Sequence, residues 1–315
     1  MAINFPHTGI FDDKKDANAL VFDTELFQKS ILVTGANGQL GNELRILANE
    51  YPNFNFDFTD VSELDLCNAE AVWQYCEEKK PAYIINCAAY TAVEKAEEEE
   101  ALARKINRDA VEHLAKAAQA VGATLLHVST DYVFDGTATR PYLETDPVCP
   151  VSVYGNTKLE GEQVLAEFCP KHVILRTAWL YSEFGNNFVK TMIRLGSERD
   201  KLTVVCDQLG SPTYARDLAD ALMDIVQAAE KGHFIAGIYN YSNEGICSWY
   251  DFTLKIHELA GISTCEVSPI ESKDYPAKVK RPAYSVLSKE KIKADYDIHI
   301  PAWEQSLADC IKRLS

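Results

Sequence analysis

From Ser30 to about Arg176, short runs of aliphatic and β-branched residues alternate with longer stretches in which apolar positions recur every three or four residues. That alternation predicts successive βαβ units and therefore a parallel sheet. Strands are predicted over 31–34, 54–59, 83–86, 124–129 and 173–177, with helices over about 39–50, 69–79, 98–121 and 153–168. The strand runs are apolar throughout instead of alternating with polar residues, so helices are expected on both faces of the sheet. Beyond Thr177 the pattern loosens, and loops at 207–213 and 275–282 separate helices near 187–199, 216–230 and 248–260. The predicted fold class is α/β, a doubly wound parallel sheet with a smaller C-terminal domain.

Composition sharpens this picture in three places. A chain of 315 residues, 47% hydrophobic and 25% charged, has the length and apolar content for a sizeable core and is not a disordered chain. The net charge of −16 repels nucleic acid and anionic membrane, so an anionic ligand must be held by local donors. Nine cysteines without a C-x-x-C spacing read as small buried residues in a reducing compartment, and seven histidines without an H-x-x-x-H pair give no reason to expect a catalytic metal. No run of 18 apolar residues occurs, and residues 1–27, with Asp12, Asp13, Lys14, Lys15 and Asp16 in their middle, lack the features of a secretory signal. A cytoplasmic protein with an N-terminal extension is expected. The acidic run Glu97 to Glu100 reads as the solvated first turn of the 98–121 helix.

The first predicted strand runs directly into Gly35-Ala-Asn-Gly38-Gln-Leu-Gly41, a G-x-x-G-x-x-G turn that opens a helix. Glycines permit the tight turn and let backbone N–H groups approach a pyrophosphate at the positive end of the helix, the arrangement of a dinucleotide-binding Rossmann domain. Asp60, at the end of the second strand, is placed to accept hydrogen bonds from the adenosine ribose. Val61, not a basic residue, follows it; a 2′-phosphate would meet that carboxylate with no adjacent cation, so NADH is favoured over NADPH. Asp65 and Leu66 are placed to flank the adenine, although Asp65 also reads as a helix cap.

Tyr154-Gly-Asn-Thr-Lys158 stacks a phenol and an ammonium on one face of a helix. Tyr75-Cys-Glu-Glu-Lys79 has the same spacing, but no polar strand end stands near it, and Tyr75 reads as structural. Tyr154 instead follows the strand that ends in Ser129-Thr130-Asp131-Tyr132, at the carboxyl edge where α/β sheets bind ligands. Reduction of a carbonyl needs a hydride and a proton donor; a phenol is protonated at neutral pH, and an ammonium beside it should lower its pKa and bond the nicotinamide ribose. Thr130 reads either as a hydrogen-bond donor to the substrate oxygen or as a cap on the strand end.

These blocks, with Asn86-Cys-Ala-Ala-Tyr-Thr-Ala-Val-Glu-Lys-Ala96, Ser129 to Gly136, Tyr154 to Glu162, Arg176-Thr-Ala-Trp-Leu-Tyr181 and Asp207-Gln-Leu-Gly-Ser-Pro-Thr213, resemble the dTDP-4-dehydrorhamnose reductase family of extended short-chain dehydrogenase/reductases, from about Ser30 almost to the C-terminus. The resemblance implies that Gly38, Gln39, Leu40, Asp60, Asp65, Leu66, Ala89, Tyr90, Thr91, Tyr154 and Lys158 contact NADH or NADPH. It implies that Thr130, Asp131 and Trp179 contact a nucleotide-sugar substrate, and that Tyr154 protonates the C4 oxygen of dTDP-4-dehydro-L-rhamnose to give dTDP-L-rhamnose. Arg281-Pro-Ala-Tyr-Ser-Val-Leu287 is similar to a late Arg-Pro segment of the family; with Lys278 and Lys280 it would bring positive charge to a diphosphate. Some members are described as Mg²⁺-linked homodimers, an implication that rests on the resemblance alone. The chain departs from the family in its leader and in Cys87, where alanine is usual.

The expected division is an extension at 1–27, a dinucleotide-binding domain at 28–180 and a mainly substrate-binding domain at 181–315, with strands near 202–206 and 237–242 added to the first domain's sheet. Two other functions compete. One is a nucleotide-sugar dehydratase or epimerase on the same fold; a dehydratase would need a carboxylate pair beside Thr130, and Tyr132 stands where the second acid would be. A non-catalytic regulatory subunit could retain the cofactor fold, but Tyr154, Lys158 and Thr130 are all intact.

Overall fold

The computed structural model describes residues 28–277 and 279–314; the extension at 1–27 and Lys278 lie outside them. The first half runs β1 (Lys29–Thr34), α1 (Gln39–Leu47), β2 (Phe54–Thr59), α2 (Ala69–Lys79), β3 (Tyr83–Asn86), two short helices α3 (Val93–Ala96) and α4 (Glu100–Arg104), α5 (Ala110–Val121), β4 (Thr124–Thr130), α6 (Val153–Phe168) and β5 (His172–Thr177). The second half runs β6 (Leu180–Tyr181), α7 (Phe188–Glu198), β7 (Lys201–Val205), β8 (Leu209–Gly210), β9 (Thr213–Tyr214), α8 (Ala215–Glu230), β10 (Gly237–Asn240), β11 (Cys247–Ser248), α9 (Trp249–Leu259), β12 (Glu266–Ile270), α10 (Glu290–Tyr296) and α11 (Trp303–Leu314).

Six parallel strands form the central sheet in the order β10-β5-β4-β3-β1-β2. On the inner strands β1, β3, β4 and β5 neighbouring residues face opposite sides, and both sides are buried, whereas edge strand β2 leaves Asn55 exposed. Ile31, Val33, Ile85, Leu126, Val173 and Leu175 pack under α1, α8 and α10. Leu32, Ile84, Leu125 and Ile174 pack under α2, α5 and α6. This two-sided burial is why those four strands carry apolar runs instead of alternating. The chain passes from β1 outward to β2 and then back across to β3, so the direction of winding reverses at β1 and a crevice opens beyond the carboxyl ends of β1 and β3.

Three expectations change. The strand predicted near 202–206 does not join the central sheet; β7 pairs in parallel with β12. Its exposed Lys201 and Thr203 alternate with buried Leu202 and Val204, a pattern suited to a sheet covered on one face only. The strand near 237–242 does join, as β10 beside β5. The boundary at 180/181 is not clean, because α8 returns to pack on α1 in the first core. The helix predicted over 98–121 is broken: a π-helical turn, Lys105–Asp109, separates α4 from α5. The second lobe has its own core, in which Val189, Met192, Phe252, Ile256, Trp303 and Leu307 join α7, α9 and α11.

Candidate active site

A cavity of about 460 Å³ lies in the crevice at the carboxyl ends of β1, β3, β4 and β5. It gathers Gly35, Gly38, Gln39, Leu40, Ala89, Thr91, Thr130, Asp131, Tyr154, Lys158 and Trp179, all proposed from the sequence. A second cavity, of about 140 Å³, opens on the other side of Gly35 and is lined by Asp60, Asp65 and Leu66. Three proposed residues line neither. Gly41 packs on Ala36, where a Cβ would come within 2.5 Å of that residue's Cα. Tyr90 is held away by its backbone, which exchanges hydrogen bonds with the Asn107 side chain. Arg281 borders two smaller cavities, of about 30 and 100 Å³, that also share Gln208 and Trp249.

The glycine turn fits a dinucleotide. Gly35 has φ +66°, and a Cβ there would lie 2.6 Å from the Ala88 nitrogen, so only glycine lets β1 turn this close to the loop after β3. No side chain caps the first turn of α1, which leaves its N–H groups for an anion. Asp60 is rigid: its two carboxylate oxygens take the backbone N–H groups of Asn37 and Val61 at 3.0 and 2.8 Å, with lone pairs remaining for a ribose. Asp65 is not the cap of α2, which is Asn68; its side chain accepts the Cys67 N–H.

The helix that carries the Tyr-x-x-x-Lys pair is fixed at both ends of its first turns. Ser152 caps α6 through the Gly155 N–H, and Glu97 accepts the Val153 N–H at 2.8 Å. Glu97 is therefore more than the solvated first turn of its own segment; its charge sits at the positive end of α6. Asn107, which sequence reasoning missed, is buried in the π-helical turn and reaches the Thr157 hydroxyl of α6 as well as Tyr90. A π turn inside a helix is a recurrent mark of functional sites, but it leaves no signature in hydrophobic spacing.

Tyr154 and Lys158 are both buried. Burial pushes the Tyr154 phenol up to about 12, and a hydrogen bond with Thr130 offsets part of that rise. The expected lowering by the lysine is not found; the remaining influence is the Asp131 charge, which raises the phenol further. Lys158 turns instead to β4, where Nζ donates to the Val128 carbonyl at 2.8 Å and meets His127 Nε2 at 3.2 Å, and burial brings its amine down to about 8. Thr130 Oγ1 donates to Asp131 and accepts the Tyr132 N–H, so it caps the strand end while also facing the phenol. Burial raises the Asp131 carboxyl to about 7; its Oδ2 has no hydrogen-bond partner among the described residues. Behind this group, Arg176 and Glu162 form a buried bidentate pair that also receives the Ser129 hydroxyl. Trp179 adopts φ +51°, a strained conformation for a non-glycine residue, and stacks on Trp249 with ring centroids 3.5 Å apart. Tyr75 stands apart from the cavity, and its hydroxyl donates to Asp57.

A ligand cavity at the switch point of a parallel sheet, with a buried phenol and amine at its floor, is the construction of a Rossmann-type short-chain oxidoreductase. Comparison with known proteins narrows that class. The chain belongs to the family described as RmlD substrate binding domain, whose model matches residues 29–315. It is 44% identical over 283 residues to a dTDP-4-dehydrorhamnose reductase of Aggregatibacter actinomycetemcomitans, covering 88% of this chain and 96% of the relative. Among solved structures, a dTDP-4-dehydrorhamnose reductase of Clostridium acetobutylicum ATCC 824 is 47% identical, with a TM-score of 0.85 over 90% of this chain and 99% of that one. The dTDP-4-dehydrorhamnose reductase of Bacillus anthracis str. Ames, solved in complex with NADP, is 39% identical with a TM-score of 0.86, covering 91% and 99%. Among the described residues no cluster of three or more His, Cys, Asp or Glu side chains is gathered to hold a metal ion. No helix among them is long and apolar enough to cross a membrane.

Proposed function

We propose that this chain reduces the C4 ketone of dTDP-4-dehydro-L-rhamnose to dTDP-L-rhamnose, with Tyr154 as the proton donor. The observation that carries this reading is the convergence of Tyr154, Lys158, Thr130 and Asp131 in a cavity that is continuous with the glycine turn. The bound reduced nicotinamide supplies the hydride. Tyr154 holds its proton at neutral pH and delivers it to the C4 oxygen as negative charge develops there. The Thr130 hydroxyl faces the phenol and orients that transfer. Asp131 Oδ2 offers an unpartnered oxygen to a sugar hydroxyl, and the buried Arg176–Glu162 pair holds the end of β4 that carries both residues.

Support for a nucleotide on the sugar comes from the smaller cavities. They continue from Asp131 and Trp179 past Gln208 and Trp249 to Tyr275, with Arg281 on their wall. Aromatic faces and a guanidinium suit a base and a diphosphate in a protein whose overall charge repels anions. A dehydratase reading lacks its second acid: Tyr132, in that place, sets its ring edge-on to Tyr154 with centroids 5.4 Å apart. All nine cysteines are free, in keeping with the cytoplasmic residence we infer.

Within the cofactor class we infer a preference for NADH, because the Asp60 carboxylate faces the ribose position with apolar Val61 beside it. The test is a panel of keto sugar nucleotides with oxidation of NADH and NADPH followed by absorbance. Turnover of the dTDP-keto-sugar with either cofactor is expected. No turnover of any member would overturn the reductase reading, and a preference for NADPH of about a hundredfold, about 2.7 kcal/mol, would reverse the cofactor assignment.

A further inference from the structure

Beneath the catalytic pair runs a chain of buried hydrogen bonds whose direction is set at one end by the backbone. The Ala88 N–H, which can only donate, points at Asn86 Oδ1 at 3.1 Å, and the Thr34 hydroxyl reaches the same oxygen at 2.8 Å. Asn86 therefore turns its Nδ2 to His127 Nδ1, 3.0 Å away. An amide nitrogen offers only hydrogens, so Nδ1 must be the accepting nitrogen of the imidazole and Nε2 must carry the ring proton. That Nε2–H faces Lys158 Nζ at 3.2 Å. An ammonium has no lone pair to receive it, whereas a neutral amine does. Reversing the chain to suit an ammonium would set the Asn86 NH₂ against the Ala88 N–H, two donors in a buried place.

We propose that His127 is a positioning residue whose Nε2–H favours the neutral form of the Lys158 amine, so that arrival of a dinucleotide shifts Nζ to the ammonium and takes up a fraction of a proton there. This rests on the reading of the cavity as a dinucleotide site. Ribose hydroxyl oxygens laid beside Nζ accept from an ammonium and favour it. The amine takes its proton from solvent, no other bond changes, and Nζ loses its lone pair to His127 and turns toward the cavity. Tyr154 then gains a full cation as neighbour in the loaded enzyme. Of the titratable groups around the amine, the Glu162 carboxylate favours the ammonium and burial opposes it. Tyr154 and Glu162 stand on its own helix, the latter held by Arg176, and His127 faces it from β4. Cys87, from the loop after β3, and Asp131 line the same cavity. Burial, the foremost cause, keeps His127 well below its ordinary range, hence neutral, and burial brings the amine itself down to about 8.

Calorimetric titration of the full chain with NADPH and NADH, in buffers of different ionisation enthalpy, counts the protons. At pH 8 an amine half neutral before binding takes up about 0.5 proton, and the uptake falls toward zero about two pH units lower. His127→Phe keeps the ring volume but removes both nitrogens; an amine whose pKa rises by about one unit would leave an uptake of about 0.1 proton at the same pH. His127→Gln, whose carboxamide N–H reaches the Nε2 position, should restore part of it. Binding without uptake in the wild type, or equal uptake in His127→Phe, overturns the proposal. Should the Phe variant fail to fold, imidazole ¹⁵N shifts of the wild type decide: an Nε2–H tautomer supports the assignment and an Nδ1–H tautomer overturns it. Failure to bind either dinucleotide at any pH would instead sink the cofactor reading, while the tautomer measurement still decides the role of His127.

Discussion

Replacing Tyr154 by Phe removes one hydroxyl from the cavity floor and leaves the ring where it packs, edge-on to Tyr132. The stability cost is the hydroxyl's hydrogen bond with Thr130, about 1 kcal/mol for a buried neutral pair. The chemical cost is larger. With the phenol gone, the hydroxyl placed to hand its proton to the C4 oxygen is lost, and protonation of the alkoxide falls to groups not held for it. Removal of a general acid lowers turnover about 10²–10⁴-fold, about 2.7–5.5 kcal/mol in the barrier. The assay is initial-rate oxidation of the reduced nicotinamide with the keto sugar generated in place, alongside cofactor binding by fluorescence and a denaturation curve for each protein. Tyr75→Phe is the control: its hydroxyl bonds Asp57 away from the cavity, so turnover should stay within about a factor of two. Turnover of Tyr154→Phe within about tenfold of wild type, about 1.4 kcal/mol, would remove Tyr154 from the proton transfer. A drop in Tyr75→Phe equal to that in Tyr154→Phe would show that the two Tyr-x-x-x-Lys pairs cannot be told apart by their strand ends.

Arg176→Met should destabilise the chain by about 3–5 kcal/mol, because Glu162 is left charged and buried. The readout is the midpoint of urea unfolding at constant slope, and a loss below about 1 kcal/mol, the scale of a surface pair, would show that the pair is solvated. Glu43→Gln should stabilise the protein above neutral pH. No donor among the described residues reaches the Glu43 oxygens; burial first and then neighbouring Glu183 raise its carboxyl to about 8. A carboxyl raised in the folded state favours folding when protonated, so its contribution declines as pH rises from its unfolded value near 4.5 through about 8. The substitution should remove that decline, giving at least about 1.4 kcal/mol at the alkaline end, the equivalent of one pKa unit. An unchanged pH dependence of unfolding would contradict it.

Much of the site is legible in local pattern, because its parts are local. Gly35 to Gly41 announces itself by lying between a strand and a helix, and Gly35 does need its positive φ. Tyr154 and Lys158 lie one helical turn apart, so helical periodicity alone puts them on one face. The polar strand end at Ser129 to Tyr132 then distinguishes them from Tyr75 and Lys79. The two-sided burial of β1, β3, β4 and β5 is equally visible, since a strand covered on both faces cannot alternate.

What the sequence could not decide was every contact between residues distant along the chain. The pairing of β7 with β12 joins segments more than sixty residues apart, and nothing in Lys201–Val205 names its partner. Trp249 stacks on Trp179, Glu97 caps α6, and Asn107 ties the loop after β3 to that same helix. The proton on His127 is the clearest case. Its place depends on Ala88, Asn86 and Lys158 meeting across three elements, and hydrogen-bond direction is a property of that assembly, not of any one residue in it. Periodicity reports which face of an element is buried; only packing determines what it is buried against.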